Sequence, residues 1–434
     1  KEVDEESEKV TDEPETSEET GGEQQQNVAT AISAVPEEEL IPQFSQTDII
    51  DMFTKGLEGA SKSILAHRIV VSFYIHLGEY EIAIDVAKTL TSLVVSTTKD
   101  TSARLEHSRL DSSLFLAIIY TYYESPKNFP KAIKLYDRIL SLSPDNISAK
   151  VGKGLIAIEK REYEEAKSLL SDVVKNYTDN FDALFEYSWC NIQLCEFAEG
   201  RNGLNKCYEL IKGTDLKSFD LRAKTLYRLA QSYLKELDVV DMDEETVTQN
   251  VKIANDLLIK SLKQSKEFAS SYSALGMLYS DFYGNESKAL KCYYKAFELD
   301  PAEVYSAKQL VSSFSNKCDW EMVVVLCTRI IDSEAARREL SFDKKDQSWP
   351  YRMLGCAALE RQDDSKAIEF YQNSLRISPN DIESWLGLGE AYFSVGRLES
   401  SSKVFDHVME MDLENWYAQS VSYTHLTLPT ICSV

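Results

Sequence analysis

The chain has 434 residues, 43% of them hydrophobic, enough apolar material for a real core spread over roughly two to four domains. Lys and Arg number 47 against 71 Asp and Glu, a formal charge of −24. That balance argues against broad electrostatic binding to nucleic acid or to anionic membrane surfaces, both of which need a basic face.

The acid is concentrated at the start. Residues 1–39 hold 14 acidic and 2 basic residues, a net −12. The stretch KEVDEESEKVTDEPETSEETGGEQQQ contains Val as its only apolar type. It has too little apolar surface to offset its ordering entropy, so 1–39 reads as a disordered acidic linker, a solvated spacer. The chain opens on Lys rather than Met and reads as a piece of something longer.

From about residue 40 to 420 the pattern is helical and repeats. Ala132, Ala166 and Gly200 stand 34 apart, and Gly154 lies 12 before Ala166 and 16 before Leu170. Pro144, in SLSPDN, closes the unit that begins near 113. Gly276 (YSALGMLY), Gly355 (YRMLGCAAL) and Gly389 (WLGLGEAY) each follow a Leu and stand four residues after an aromatic, respectively Tyr272, Tyr351 and Trp385. Ala367 and Ser401 lie 12 beyond their glycines, Tyr371 and Phe405 16 beyond, and Pro379 lies 24 beyond Gly355. Ala289, Tyr293 and Pro301 follow Gly276 at 13, 17 and 25, which one extra residue in the turn FYGNES explains. Tyr392 ends the WLGLGEAY stretch.

This period and order of residue types resembles the tetratricopeptide repeat, two antiparallel helices per unit. The expected fold is all-α, an α-solenoid winding as a right-handed superhelix. The Gly and the small residue twelve on are expected to face each other where the helices cross, the aromatics to fill gaps between helices, and the proline to end the second helix. One unit cannot bury its own apolar face, so several must stack. Units are expected near 64–95, 113–146, 147–180, 181–214, 220–266, 269–303, 304–345, 348–381 and 382–415, with Trp416 opening another. The stretches at 96–109, 236–250 and 334–348 read as insertions that project from the solenoid. The Gly-Leu-Gly at 387–389 is thus a packing mark, since a phosphate loop would need a preceding strand. The final VSYTHLTLPTICSV (421–434) breaks the pattern. It reads as the translation of a sequencing-library transposon end, a non-native tail.

The eight cysteines form no Cys-x-x-Cys pair and mostly sit in apolar runs, which suits buried, reduced thiols of an intracellular protein. No histidine has zinc spacing, no apolar run reaches membrane-spanning length, and no secretory signal is visible. Neither paired carboxylates nor a Ser-His-Asp order nor a phosphate loop emerges, so no catalytic, metal or cofactor-binding residue is assigned and no small-molecule substrate is expected. His67 and His407 read as structural. What a solenoid offers instead is the concave face made by the first helix of each unit. Register places Val151, Leu155, Phe185, Trp189, Tyr227, Gln231, Arg352, Cys356, Leu386 and Glu390 on that face. The groove is apolar and aromatic in its middle, suited to an extended or helical peptide, and it lacks the inward Lys, Arg and Asn set that holds a terminal carboxylate. Phe185 and Trp189 have a plainer alternative, packing against neighbouring helices.

Particular stretches go beyond the repeat. SILAHRIVVSFYIHLGEYEIAI, YTYYESPKNFPKAIKLYDRILS, LKCYYKAFELDPAE and SPNDIESWLGLGEAYFSVGRLESSSKVF resemble the large tetratricopeptide subunits of the fungal superkiller (Ski) complex over about 40–415. The resemblance includes loop wording such as ESPKNF that the repeat does not dictate. It implies an internal fragment of a non-catalytic cytoplasmic scaffold. That scaffold would hold a DExH-box RNA helicase subunit and WD40 subunits and act indirectly with the RNA exosome in 3′-to-5′ mRNA decay. It implies no direct nucleic-acid contact, and a groove around Phe185 and Trp189 that helps grip a helicase segment. The competing readings are a scaffold of another assembly such as a ubiquitin-ligase complex, the repeat arm of an enzyme, and an RNA-binding repeat protein. The second lacks a catalytic domain and the third lacks a basic face.

Overall fold

A computed structural model describes residues 46–97, 103–240, 243–301, 303–333, 348–412 and 415–421. The acidic linker, the stretch 334–347 and residues 422–434 of the tail therefore lie outside the described residues. Two compact units divide the chain, Lys1–Ser61 and Lys62–Val434. In the first, the described element is helix α1 (Gln46–Gly59).

The second unit is a succession of helical hairpins. In chain order they are α2 (Ile64–Leu77) with α3 (Tyr80–Thr97), α4 (Ala103–Tyr122) with α5 (Phe129–Leu142), α6 (Ile147–Glu159) with α7 (Tyr163–Asn176), and α8 (Phe181–Gln193) with α9 (Phe197–Leu210). Then come α10 (Leu216–Val239) with α11 (Glu244–Gln264), α12 (Ala269–Asp281) with α13 (Glu286–Leu299), and α14 (Val304–Asn316) with α15 (Trp320–Asp332). The last are α16 (Trp349–Glu360) with α17 (Asp364–Ile377), α18 (Ile382–Ser394) with α19 (Leu398–Met411), and the single helix α20 (Trp416–Val421). No strand occurs among the described residues. The fold is all-α, an α-solenoid of tetratricopeptide hairpins.

Local chemistry sets the boundaries. The turn inside a hairpin needs one left-handed residue. Gly supplies it at 78, 284 and 396, whereas Arg161, Cys195, Cys318 and Gln362 adopt it with side chains. Asn146 and Asn180 cap the starts of α6 and α8, their Oδ1 atoms each accepting from the third backbone N–H beyond at 2.9 Å. Pro144, Pro301 and Pro379 stand two residues past the ends of α5, α13 and α17, where no helical N–H is required.

The core is a stack of rings seated on glycines. A Cβ at Gly355 would come within 2.8 Å of the Tyr371 ring, and one at Gly389 within 2.8 Å of Phe405. Gly154 faces Leu170, and Gly276 faces Tyr293. The residue opposite the glycine is thus the large one sixteen or seventeen positions on. The small residue twelve on also meets the glycine in the last hairpin, where Ser401 Oγ donates to the Gly389 carbonyl at 2.8 Å. Ala132, Ala166, Ala289 and Ala367 are likewise buried. Gly387, the first glycine of the Gly-Leu-Gly packing mark, seats the ring of the preceding hairpin, since a Cβ there would lie 2.2 Å from Tyr371. Gly152 stands the same way to Tyr136. In Gly-Leu-Gly, then, one glycine packs the previous hairpin and the other its own.

One expected insertion is not a projecting loop. The acid-rich 236–250 lengthens both helices of its hairpin, and α10 and α11 run to 24 and 21 residues. Asp, Glu and Lys on outward faces are compatible with two extra helical turns, so the added residues extend the stack. The 96–109 stretch is also mostly the end of α3 and the start of α4.

Candidate protein-interaction surface

The first helices of successive hairpins carry two clefts. One lies over α8, α10 and α12, has a volume of about 550 Å³, and is lined by Trp189, Tyr227, Arg228, Gln231, Lys235 and Met277 among others. Arg228 organises it. Its guanidinium sits 3.8 Å from the centroid of Phe185 and 5.1 Å from that of Trp189. It donates to both carboxylate oxygens of Glu186 at 3.0 and 3.1 Å and to the Phe185 carbonyl at 3.3 Å. A planar fork held between an aromatic face and a carboxylate is a task for Arg rather than Lys. Lys235 Nζ donates to the backbone and side-chain oxygens of Gln193 and ties the next turn of α10 to α8.

The structure separates the expected groove residues. Phe185 is 8% exposed and belongs to the core with Ile192, Leu204 and Leu226. Trp189, half-buried, lines the cleft, and its indole N–H has no partner among the described residues. Tyr227 and Gln231 line the same cleft, with Tyr227 edge-on to Phe268 at 5.4 Å. Val151 and Leu155 are half-buried on α6, where Val151 packs on the Ala157 and Leu170 cluster. Leu386 packs on Phe405 and Val408, and Glu390 accepts from the Tyr417 hydroxyl. Cys356 accepts from the Tyr371 hydroxyl at 3.3 Å. Arg228 and Lys235 were missed. The available signal was that Glu186 and Arg228, of opposite charge, each follow a leading aromatic in adjacent hairpins.

The second cleft, about 540 Å³, opens between α14, the start of α16 and the turn 378–381. Arg352 lies in it, donating to Asp381 at 3.0 and 3.2 Å and pairing with Glu383 at 2.7 Å. Asp381 also accepts from Ser384 at 2.6 Å, whose hydroxyl is 2.8 Å from that of Ser374, which donates to the Ser348 carbonyl at 3.1 Å. A hydrogen-bonded chain therefore runs under the cleft.

Glu159 on α6 lies near Glu186 and Arg228. Burial and then Glu186 raise the Glu159 carboxyl, opposed by Arg228. His67 Nδ1 lies 2.8 Å from the Ser63 carbonyl and His407 stands edge-on to Trp385 at 4.8 Å, both structural contacts. The seven described cysteines are free. Cys190, Cys207 and Cys327 are buried, but Cys195 and Cys318 are exposed at left-handed turn positions, a correction to the expectation of buried thiols. Among the described residues no His, Cys, Asp and Glu group could hold a metal ion, and no helix is long and apolar enough to cross a membrane.

Comparison with known proteins matches two stretches, 269–303 and 382–415, to the family model of the tetratricopeptide repeat. Superkiller protein 3 of Saccharomyces cerevisiae is 39% identical over 367 residues, 84% of this chain and 25% of that protein. Superkiller protein 3 of Schizosaccharomyces pombe is 31% identical over 374 residues, 86% of this chain and 26% of that protein. Among solved structures, the APC/C hetero-tetramer Cut9-Hcn1 aligns with a TM-score of 0.43 at 12% identity, covering 86% of this chain and 80% of that one. The chain is a tetratricopeptide-repeat relative of Superkiller protein 3 and spans about a quarter of the length of those curated relatives.

Proposed function

We propose that this chain is a non-catalytic scaffold segment of a superkiller-type assembly, cytoplasmic, that holds protein partners along its first-helix face. The partners are a DExH-box RNA helicase subunit and WD40 subunits, and through them the RNA exosome in 3′-to-5′ mRNA decay. The observation that carries the reading is the 39% identity to Superkiller protein 3. It extends over 84% of the chain, whereas the generic repeat model matches only two hairpins. What is shared is therefore more than the spacing that any tetratricopeptide solenoid needs. The geometry supports a protein ligand: the cleft at Trp189 offers an apolar wall, an unused indole donor and a fixed guanidinium edge, features of a peptide seat.

The test is affinity capture of partners from fungal lysate on the chain tagged at its N-terminus, read by mass spectrometry. Recovery of a DExH-box helicase, with or without WD40 proteins, is expected. Capture of a different assembly without the helicase would leave the fold and overturn the assignment.

A further inference from the structure

We propose that the lengthened hairpin of α10 and α11, with the turn that follows α12, is a docking surface for a basic segment of another protein that carries large apolar side chains. The surface adjoins the Trp189 cleft at Asp238 but lies on the edge of the stack where the hairpin turns stand. It goes beyond the scaffold reading and does not depend on which assembly the chain serves. Helix α11 begins ten residues before its buried Ala254, whereas α9 and α13 begin three before the equivalent Gly200 and Ala289. Seven extra residues are two helical turns, so α11 rises roughly 10 Å beyond the turns of its neighbours. The extension exposes apolar side chains. Tyr233, Leu237 and Val240 follow one another at four and three residues on one stripe of α10. The first two pack in one cluster with Val247 of α11 and Tyr279 of α12, and Val240 emerges one turn further on. Tyr279 in turn meets Tyr283 at 5.8 Å between ring centroids. Val239, Val240, Phe282 and Tyr283 are each 43–53% exposed. Scattered singly such residues are ordinary, but four around the open end of one core cluster mark an interaction surface.

Charge selects the occupant. Asp238, Glu244 and Glu245 on the extension and Asp281 and Glu286 beside the neighbouring turn are exposed. From Glu236 to Val251 the sequence holds no Lys or Arg. The cation of the neighbouring turn, Lys288, places Nζ 5.6 Å over the Tyr279 ring, so this aromatic face already receives an ammonium. A nucleic acid or an anionic membrane is repelled here. So is a second copy of a chain whose net charge is −24. A Lys- or Arg-rich segment is attracted, and its apolar residues cover Val240 and Tyr283. Carboxylates alone would draw any cation; the apolar centre is what calls for a protein segment.

The test is a fluorescence-anisotropy titration of the 434-residue chain against a labelled amphipathic dodecapeptide of paired Lys and Leu residues. Two control peptides carry Glu in place of Lys and Ser in place of Leu. The Lys–Leu peptide is expected to bind at least about tenfold more tightly than either control. Val240→Ser with Tyr283→Ser should weaken it about tenfold, as should Glu244→Gln with Glu245→Gln. Trp189→Ala should leave it unchanged. The four altered positions of the double variants are exposed, so the fold is kept, and far-UV circular dichroism checks that. A benzophenone on the peptide should crosslink within 238–245 or 282–286, mapped by mass spectrometry. No binding, binding that survives both double variants, equal binding of the Lys–Ser peptide, or crosslinks confined to the acidic stretch 1–39 would overturn the proposal. No helicase enters the titration. A failed helicase capture with a positive titration therefore removes the proposed function and leaves this surface.

Discussion

Tyr371 is wedged between two glycines of successive hairpins, and the cost of crowding it is the sharpest single-residue expectation. Gly387→Ala places a methyl 2.2 Å from the ring and Gly389→Ala places one 2.8 Å from Phe405. Rings in a filled core cannot step aside, and overpacking costs about 1–3 kcal/mol. Both variants should lower the thermal midpoint, Gly387→Ala more. The left-handed turns give the opposite sign. Arg161 and Gln362 hold φ of 62° and 60° with side chains, a conformation costing roughly 1–2 kcal/mol outside glycine. Arg161→Gly and Gln362→Gly should therefore raise the midpoint in urea unfolding, by an amount that the added freedom of unfolded glycine reduces. A fall in stability would mean that the side chains make contributions beyond the backbone.

At the scale of elements, two hairpin junctions share a device that a third lacks. Ser261 meets Ser271 at 2.9 Å and Ser374 meets Ser384 at 2.8 Å, in each case from the second helix of one hairpin to the first helix of the next. The corresponding pair between α13 and α14 is Ala296 and Ser306, and Ser306 Oγ is buried without a partner. Ala296→Ser should supply it and stabilise by about 1 kcal/mol, measured as a shift in urea midpoint. A loss would show that the site has no room for a hydroxyl. The repeat itself was legible in the sequence because its signature residues, such as Gly355, Ala367 and Tyr371, sit where the two helices of a hairpin pack and recur about every 34 positions. The groove was less legible. Register put Phe185 and Trp189 on one face, but a helix of a solenoid has neighbours on both flanks, and one step around the helix took Phe185 into the core beneath Arg228. The acid-rich 236–250 misled for a different reason. Charge marks solvent exposure, not loop, and a lengthened helix exposes its outer face as readily as a loop does.

Over the whole molecule, burial of ionisable groups sets the response to alkali. Burial pushes the Cys190, Cys207 and Cys327 thiols up to about 12, and Tyr227 likewise to about 12. An unfolded thiol ionises near 8.5. Between that value and about 12 the folded chain keeps protons that the unfolded chain releases, so stability is full below about 8.5 and falls as pH rises. Unfolding free energy measured from pH 8 to 11 should decline steadily. At pH 8 the exposed Cys195 and Cys318 should react with a thiol reagent well before the three buried cysteines.

The central claim is that the first-helix face holds a helicase of the superkiller type, with Trp189 part of the seat. The direct measurement is titration of the purified chain against a purified fungal DExH-box helicase subunit, followed by calorimetry for the parent and for Trp189→Ala. A single saturable complex is expected, weakened at least about tenfold in the variant, as loss of an interface tryptophan ordinarily produces. Equal affinity of the variant and the parent would remove Trp189 from the seat, and no heat of binding with a folded chain would contradict the scaffold assignment itself.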